Sequence, residues 1–195
     1  MKRLVIILLL LISSLSLYSQ EHLKFKGIPI NGSLKSFVET LKTKGYSFVD
    51  SDQGVALMEG TFAGVEPCNI YVVSTNDLVW KVAAEFPSHD TWKEVKREYN
   101  NLKESFATKY GVKPESMEKL PNDEDYYSDG LGMMSLHSAL EHETAIYNSV
   151  FAIPNGVAVI AIKPDFQTSG CLQVIIEYYD EVNVNAVDNQ AIEDL

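Results

Sequence analysis

Asp90-Thr91-Trp92-Lys93-Glu94-Val95-Lys96-Arg97-Glu98-Tyr99-Asn100-Asn101-Leu102-Lys103-Glu104-Ser105-Phe106-Ala107-Thr108-Lys109-Tyr110 is the stretch whose reading decides the fold. Trp92, Val95, Tyr99, Leu102, Phe106 and Tyr110 recur three or four positions apart, the stripe of a helix with one buried face. Thr91 followed by Glu94 has the form of a capping box, with Asp90 as the alternative cap. Gly111 closes the helix and Pro114 forbids its continuation. Lys93, Lys96, Arg97, Lys103 and Glu104 make the opposite, solvated face. Such a helix needs an apolar cover, and the chain on either side of it reads as strands.

Upstream, residues 23–30 form a first strand, with Leu23, Phe25, Ile28 and Ile30 apolar. Ser33 caps a second helix whose stripe is Leu34, Phe37, Val38 and Leu41, and Gly45 ends it. Strands follow at 46–49, 55–62, 68–73 and 78–86. In the last of these Leu78, Trp80, Val82, Ala84 and Phe86 share one face, while Lys81 and Glu85 take the other. That alternation marks an antiparallel strand with one wet side. Downstream, residues 113–138 show no period, so they form either a functional loop or an element hidden from pattern reading. Strands 144–154 and 157–163 are joined by Asn155-Gly156, a two-residue hairpin signal. The final strand, 171–180, has Leu172, Val174, Ile176 and Tyr178 as its buried set, and an acidic tail with a short helix ends the chain.

The order is helix, four strands, helix, loop, three strands. It predicts an α+β fold: an antiparallel sheet of about seven to eight strands with two helices on one face. Residues 21–195 make one domain, with similar halves at 23–87 and 88–182. No parallel crossover is required, which argues against a doubly wound fold.

Lys2 and Arg3, the apolar run 4–12 and the serine-rich close at 13–20 are the three parts of a secretory signal peptide, residues 1–20. The run is too short to span a bilayer, which takes about 20 residues. Without that leader 14 basic residues face 27 acidic ones, a net charge of −13. Such a chain has no electrostatic basis for binding nucleic acid, and anionic lipid surfaces repel it. Cys68 and Cys171 are the two cysteines of a chain directed to an oxidising compartment. Either they form one disulfide or they stay as buried thiols.

Catalytic signals are sparse. His137, Glu141 and His142 cluster, but neither H-E-x-x-H nor its inverted form fits their spacing. An EF-hand frame begun at Asp125 places Leu136 where the bidentate glutamate belongs. Asp123, Asp125 and Asp129 are left as weak candidates for an irregular calcium site. No nucleophile elbow, phosphate loop or dinucleotide glycine pattern is present, and no cofactor is expected. Aromatics supply the binding candidates: Tyr71 and Tyr179 oppose buried neighbours on their strands, and Tyr126 and Tyr127 lie in the acidic stretch. Trp80 and Trp92 fall in core phase.

Leu23-Lys24-Phe25-Lys26-Gly27-Ile28-Pro29-Ile30-Asn31-Gly32-Ser33, Met58-Glu59-Gly60-Thr61-Phe62-Ala63-Gly64, and Ile176-Glu177-Tyr178-Tyr179-Asp180 with Asn183 together resemble a group of small secreted proteins of Bacteroides-like gut bacteria. The resemblance implies a Gram-negative periplasmic or secreted address and no particular chemistry. The repeated helix-then-sheet order is similar to β-lactamase-inhibitor-protein-like domains, envelope modules that bind other proteins through an exposed sheet face. Fold likeness does not carry function by itself. The expectation is a non-catalytic binding module with another envelope protein as partner. The rival is a small hydrolase using acids of residues 122–143.

Overall fold

The computed structural model describes residues 21–193; the leader read at 1–20 lies outside them. A small hairpin, β1 (Lys24–Phe25) and β2 (Ile28–Pro29), precedes α1 (Leu34–Thr43). Then come β3 (Ser47–Asp52), β4 (Val55–Phe62), β5 (Val65–Thr75) and β6 (Leu78–Glu85). The second series opens with α2 (Trp92–Tyr110) and β7 (Glu115–Lys119), followed by a 3-10 helix (Glu124–Ser128) and α3 (Gly130–Glu141). It ends with β8 (Ile146–Ile153), β9 (Gly156–Pro164), β10 (Leu172–Asp180) and α4 (Glu181–Glu193).

Eight strands form one antiparallel sheet in the order β3-β4-β5-β6-β10-β9-β8-β7, so the fold is α+β. Each series is a four-strand meander, and the two meet through their last strands, with Ala83 opposite Glu177. The backbone before each helix is tied to its own series in the same way. Val79 N–H donates to Gly32 O at 3.0 Å, and His89 and Leu172 exchange bonds of 2.7 and 2.9 Å.

One face of the sheet carries the core. Alternate strand residues such as Met58, Ile70, Val82, Ile160, Val174 and Ile176 are buried there. Phe37, Val38 and Leu41 of α1, Trp92, Val95, Tyr99 and Phe106 of α2, and Met133, Leu136 and Leu140 of α3 join the same cluster. Thr91 Oγ1 accepts from Glu94 N–H at 3.4 Å, the expected N-cap bond, while Glu94 Oε2 accepts from the Thr91 hydroxyl at 3.0 Å in place of the capping box's backbone N–H. Gly111 adopts φ 66°, the left-handed stop. Buried polar groups pin the ends together. Asp180 accepts from Leu23 N–H at 2.7 Å, and Asn183 Nδ2 donates to Ile30 O and Val79 O at 2.9 and 2.8 Å.

The structure departs from sequence expectation at four places. Residues 23–30 form a two-rung hairpin rather than one strand, yet Leu23, Phe25, Ile28 and Ile30 are all buried as their pattern implies. The stretch 113–138 contains β7, the 3-10 helix and α3, so three helices, not two, cover the core face. β7 hides because it is an edge strand with every residue exposed, leaving no alternation to read. The β8–β9 turn is centred on Pro154-Asn155, since Ile153 pairs with Gly156. Proline followed by a left-handed residue (Asn155, φ 67°) is the type II pattern. Gly156 serves the strand instead: a Cβ there would lie 2.1 Å from Tyr179 O. Finally, a register shift opposite Val73/Ser74 rotates Trp80 out of core phase. Val79 takes the buried position, and Trp80 meets Tyr179 with ring centroids 6.2 Å apart.

Candidate functional site

The second face of the sheet lies away from the buried stripes of α1, α2 and α3, which join the core cluster; α4 contacts β6, β9 and β10, with Asn183 buried. Strand register defines the rows of this face. One runs Val55, Val73, Lys81, Tyr179, Val157, Ala152, and the next Leu57, Tyr71, Ala83, Glu177, Val159, Val150. β-branched and aromatic side chains predominate, with two short clusters of polar groups set among them.

The first cluster surrounds Tyr179 near the centre. Lys81 is directly opposite it in register and stands 5.0 Å from its ring centroid. Lys81 Nζ also donates to Glu177 Oε1. Burial pulls the Lys81 ammonium down, but Glu177 and Tyr179 outweigh it and leave the ammonium above its ordinary value. Trp80 borders the same cluster, its indole N–H donating to Thr75 Oγ1 at 3.1 Å. The product is a flat aromatic and charged patch with fixed side chains.

The second cluster lines a cavity of about 260 Å³ at the edge of this face, where Tyr71, Asn69 and Glu85 meet Asp165 and Phe166 of the β9–β10 loop. Burial raises the Glu85 carboxyl above its ordinary value, against the opposing pull of the Tyr71 hydroxyl and Asn69 amide. Burial and the Glu85 charge push the Tyr71 phenol up to about 12. Asp165 goes the other way. Burial works to raise it, but the Gln167 N–H at 2.8 Å and the Ser88 and Thr168 groups around it hold it below its usual range.

A third concavity, about 910 Å³, lies between the start of α2 and the 3-10 helix. Lys96 reaches both Glu124 oxygens at 2.5 and 2.6 Å and holds that carboxyl below its ordinary value. The Trp92 indole adds to the lowering, yet Trp92 Nε1 has no acceptor within hydrogen-bond distance.

Of the four candidate tyrosines, Tyr71 and Tyr179 stand on the second face of the sheet. Tyr126 is 53% exposed on the 3-10 helix. Tyr127, beside it, is 1% exposed and belongs to the core, where its hydroxyl accepts from Asn122 N–H at 3.0 Å. The acidic candidates are dispersed. Asp129 caps α3 through Gly132 N–H at 2.8 Å, Asp123 precedes the 3-10 helix without a capping bond, and Asp125 lines the α2 concavity. Among the described residues no three His, Cys, Asp or Glu side chains converge as metal ligands would. His137 is engaged with Asp165 O at 3.1 Å, and His142 with Ser138 O at 2.8 Å. Cys68 and Cys171 are free thiols, the first buried, with its Sγ 3.4 Å from Val65 O. No helix among the described residues is long and apolar enough to cross a membrane.

Sequence reasoning missed the groups that give these clusters their character. Lys81 and Glu85 had a usable signal, since period-two reading had placed them on the wet face. Asp165 and Phe166 had none, because only the fold of the β9–β10 loop carries them to Tyr71. No protein-family model, curated protein or solved structure matches this chain.

Proposed function

We propose that this chain is a non-catalytic protein-binding module that presents the sheet face opposite α1, α2 and α3 to a partner in the periplasm or outside the cell. One observation carries the reading: two neighbouring rows cross six strands of this face and are apolar or aromatic except at Lys81 and Glu177. Interfaces favour this composition, with aromatic anchors amid apolar contacts and a few oriented charges. The leader sequence and net acidity argue for another envelope protein as the partner rather than nucleic acid. The rival hydrolase gains no support from the geometry, since Asp129, His137 and His142 are each engaged in local bonds.

The test is capture from detergent-solubilised envelope extract with the immobilised protein and with a Tyr71→Ser/Tyr179→Ser double variant. One saturable protein should bind the wild type and be lost from the variant. Anchors of this kind are each worth about 2 kcal/mol or more. A partner retained equally by both, or no saturable partner, overturns the proposal.

A further inference from the structure

Three strongly exposed apolar side chains lie where α3 meets the β9–β10 loop. Leu131 is 78%, Phe166 74% and Met134 54% exposed. Leu131 and Met134 lie one turn apart on one side of α3, while Met133, Leu136 and Leu140 hold the other side in the core. The loop is fastened along this helix at both ends. The rings of His137 and Phe166 are 6.3 Å apart, and Asp165 O is 3.1 Å from His137 Nε2. At the far end, a Cβ on Gly170 would lie 3.2 Å from Met134 Cγ. The three apolar groups therefore form one patch on a fixed base.

Acidic residues flank this patch on its own helix and loop. Asp129 caps the helix just before Leu131, Glu141 extends the Leu131–Met134 stripe, and Asp165 adjoins Phe166. The imbalance is regional: between Leu120 and Leu195 the chain has 13 acidic residues and one cation, Lys163. Exposed apolar groups of this size mark contact surfaces, and a methionine lets such a surface adapt to its occupant. The rim selects the occupant. Anionic lipid is repelled, and an uncharged apolar segment leaves the Glu141 carboxylate without a cationic partner.

We infer that the exposed side of α3 and the adjoining loop dock a cationic amphipathic segment of another protein. Its apolar side covers Leu131, Met134 and Phe166, and its Lys or Arg side chains meet Asp129, Glu141 and Asp165. This is recognition of an amphipathic helix by an exposed apolar patch with electrostatic selection. Asp165 and Phe166 also line the Tyr71 cavity, but Leu131 and Met134 do not, and neither belongs to the Tyr179 patch, so the α3 variants test this inference apart from the sheet-face reading.

The probe is a designed Leu/Lys amphipathic helical peptide, titrated by calorimetry into the protein at low and high salt. A Leu/Glu peptide of the same pattern is the control. Leu131→Ser/Met134→Ser should weaken Leu/Lys binding by about tenfold or more. Phe166→Ser, which leaves α3 intact, should do likewise. High salt should weaken binding, and Tyr179→Ser should leave it unchanged. Equal binding of the Leu/Glu peptide, or undiminished binding by both patch variants, overturns the inference. So does self-association of the free protein that the patch substitutions abolish, since a second copy is then the occupant. Partition of the wild type, but not the patch variants, onto phosphatidylcholine vesicles also overturns it.

Discussion

Glu85 shows most directly what the second face of the sheet costs the molecule. It is an acid held between strands, and burial raises its carboxyl pKa above the ordinary 4.5. Between the unfolded and folded values the native state holds the proton more often than the unfolded chain does. Stability therefore falls as pH rises from about 4.5 through the folded pKa. Glu85→Gln removes that penalty. Its urea midpoint should exceed the wild type's at neutral pH, and the advantage should fade as pH approaches 4.5. Equal midpoints at every pH would show that Glu85 is not strained. A destabilising charge among Tyr71, Asn69 and Asp165 fits a surface shaped for contact rather than for stability. At this scale the sequence was half legible. Period-two alternation placed Tyr71, Tyr179, Lys81 and Glu85 on the wet side, because side-chain direction in a strand is a local property. The approach of Asp165 is a tertiary fact that no local period encodes.

At the scale of elements, long periodic segments were the readable ones. The α2 stripe, its N-cap and its glycine stop all appear as their residues specify, and so does the buried set of β10. Failures fell where a local rule was overridden. Trp80 left core phase through one shift in register, which moves every preceding side chain to the opposite face. α3 was obscured by Gly130 and Gly132 in its first turn, residues that ordinarily argue against a helix. The two glycines have different roles, and this can be measured. At Gly132 a Cβ would lie 2.0 Å from Tyr126 O and 2.9 Å from Tyr127 Cα, both backbone atoms. Gly132→Ala must therefore separate α3 from the 3-10 helix, at a cost of about 1–3 kcal/mol, and expose Tyr127. A Cβ at Gly130 meets nothing within 4 Å, so Gly130→Ala should leave the melting temperature essentially unchanged. Equal effects of the two substitutions would contradict this packing.

Across the whole molecule, the two meanders share one sheet and one core cluster. Each carries one tryptophan, Trp80 on β6 and Trp92 on α2, so each offers its own optical probe. In Trp92→Phe and in Trp80→Phe, the fluorescence transition in urea should coincide with the circular-dichroism transition of the same protein. Two separated transitions in either variant would show that the meanders unfold independently. The α+β class and the antiparallel sheet were foreseeable because every connection between strands is a short hairpin or a helix. The fourth strand of the second meander was not, because β7 is an edge strand and has no buried side.

The joining of the two meanders through their last strands sets a temporal order on the chain's synthesis. β6 is complete by Glu85, but the strand that pairs with it begins at Leu172, so almost the entire second half must emerge first. Throughout that interval β6 is the open border of a finished four-strand unit, with Val79, Val82 and Ala84 on its apolar side. Borders of this kind recruit any available strand, including the same border of a neighbouring nascent copy. A ribosome stalled within α2 or β8 would release a fragment already committed to such pairing. Folding only once the chain is whole removes that hazard.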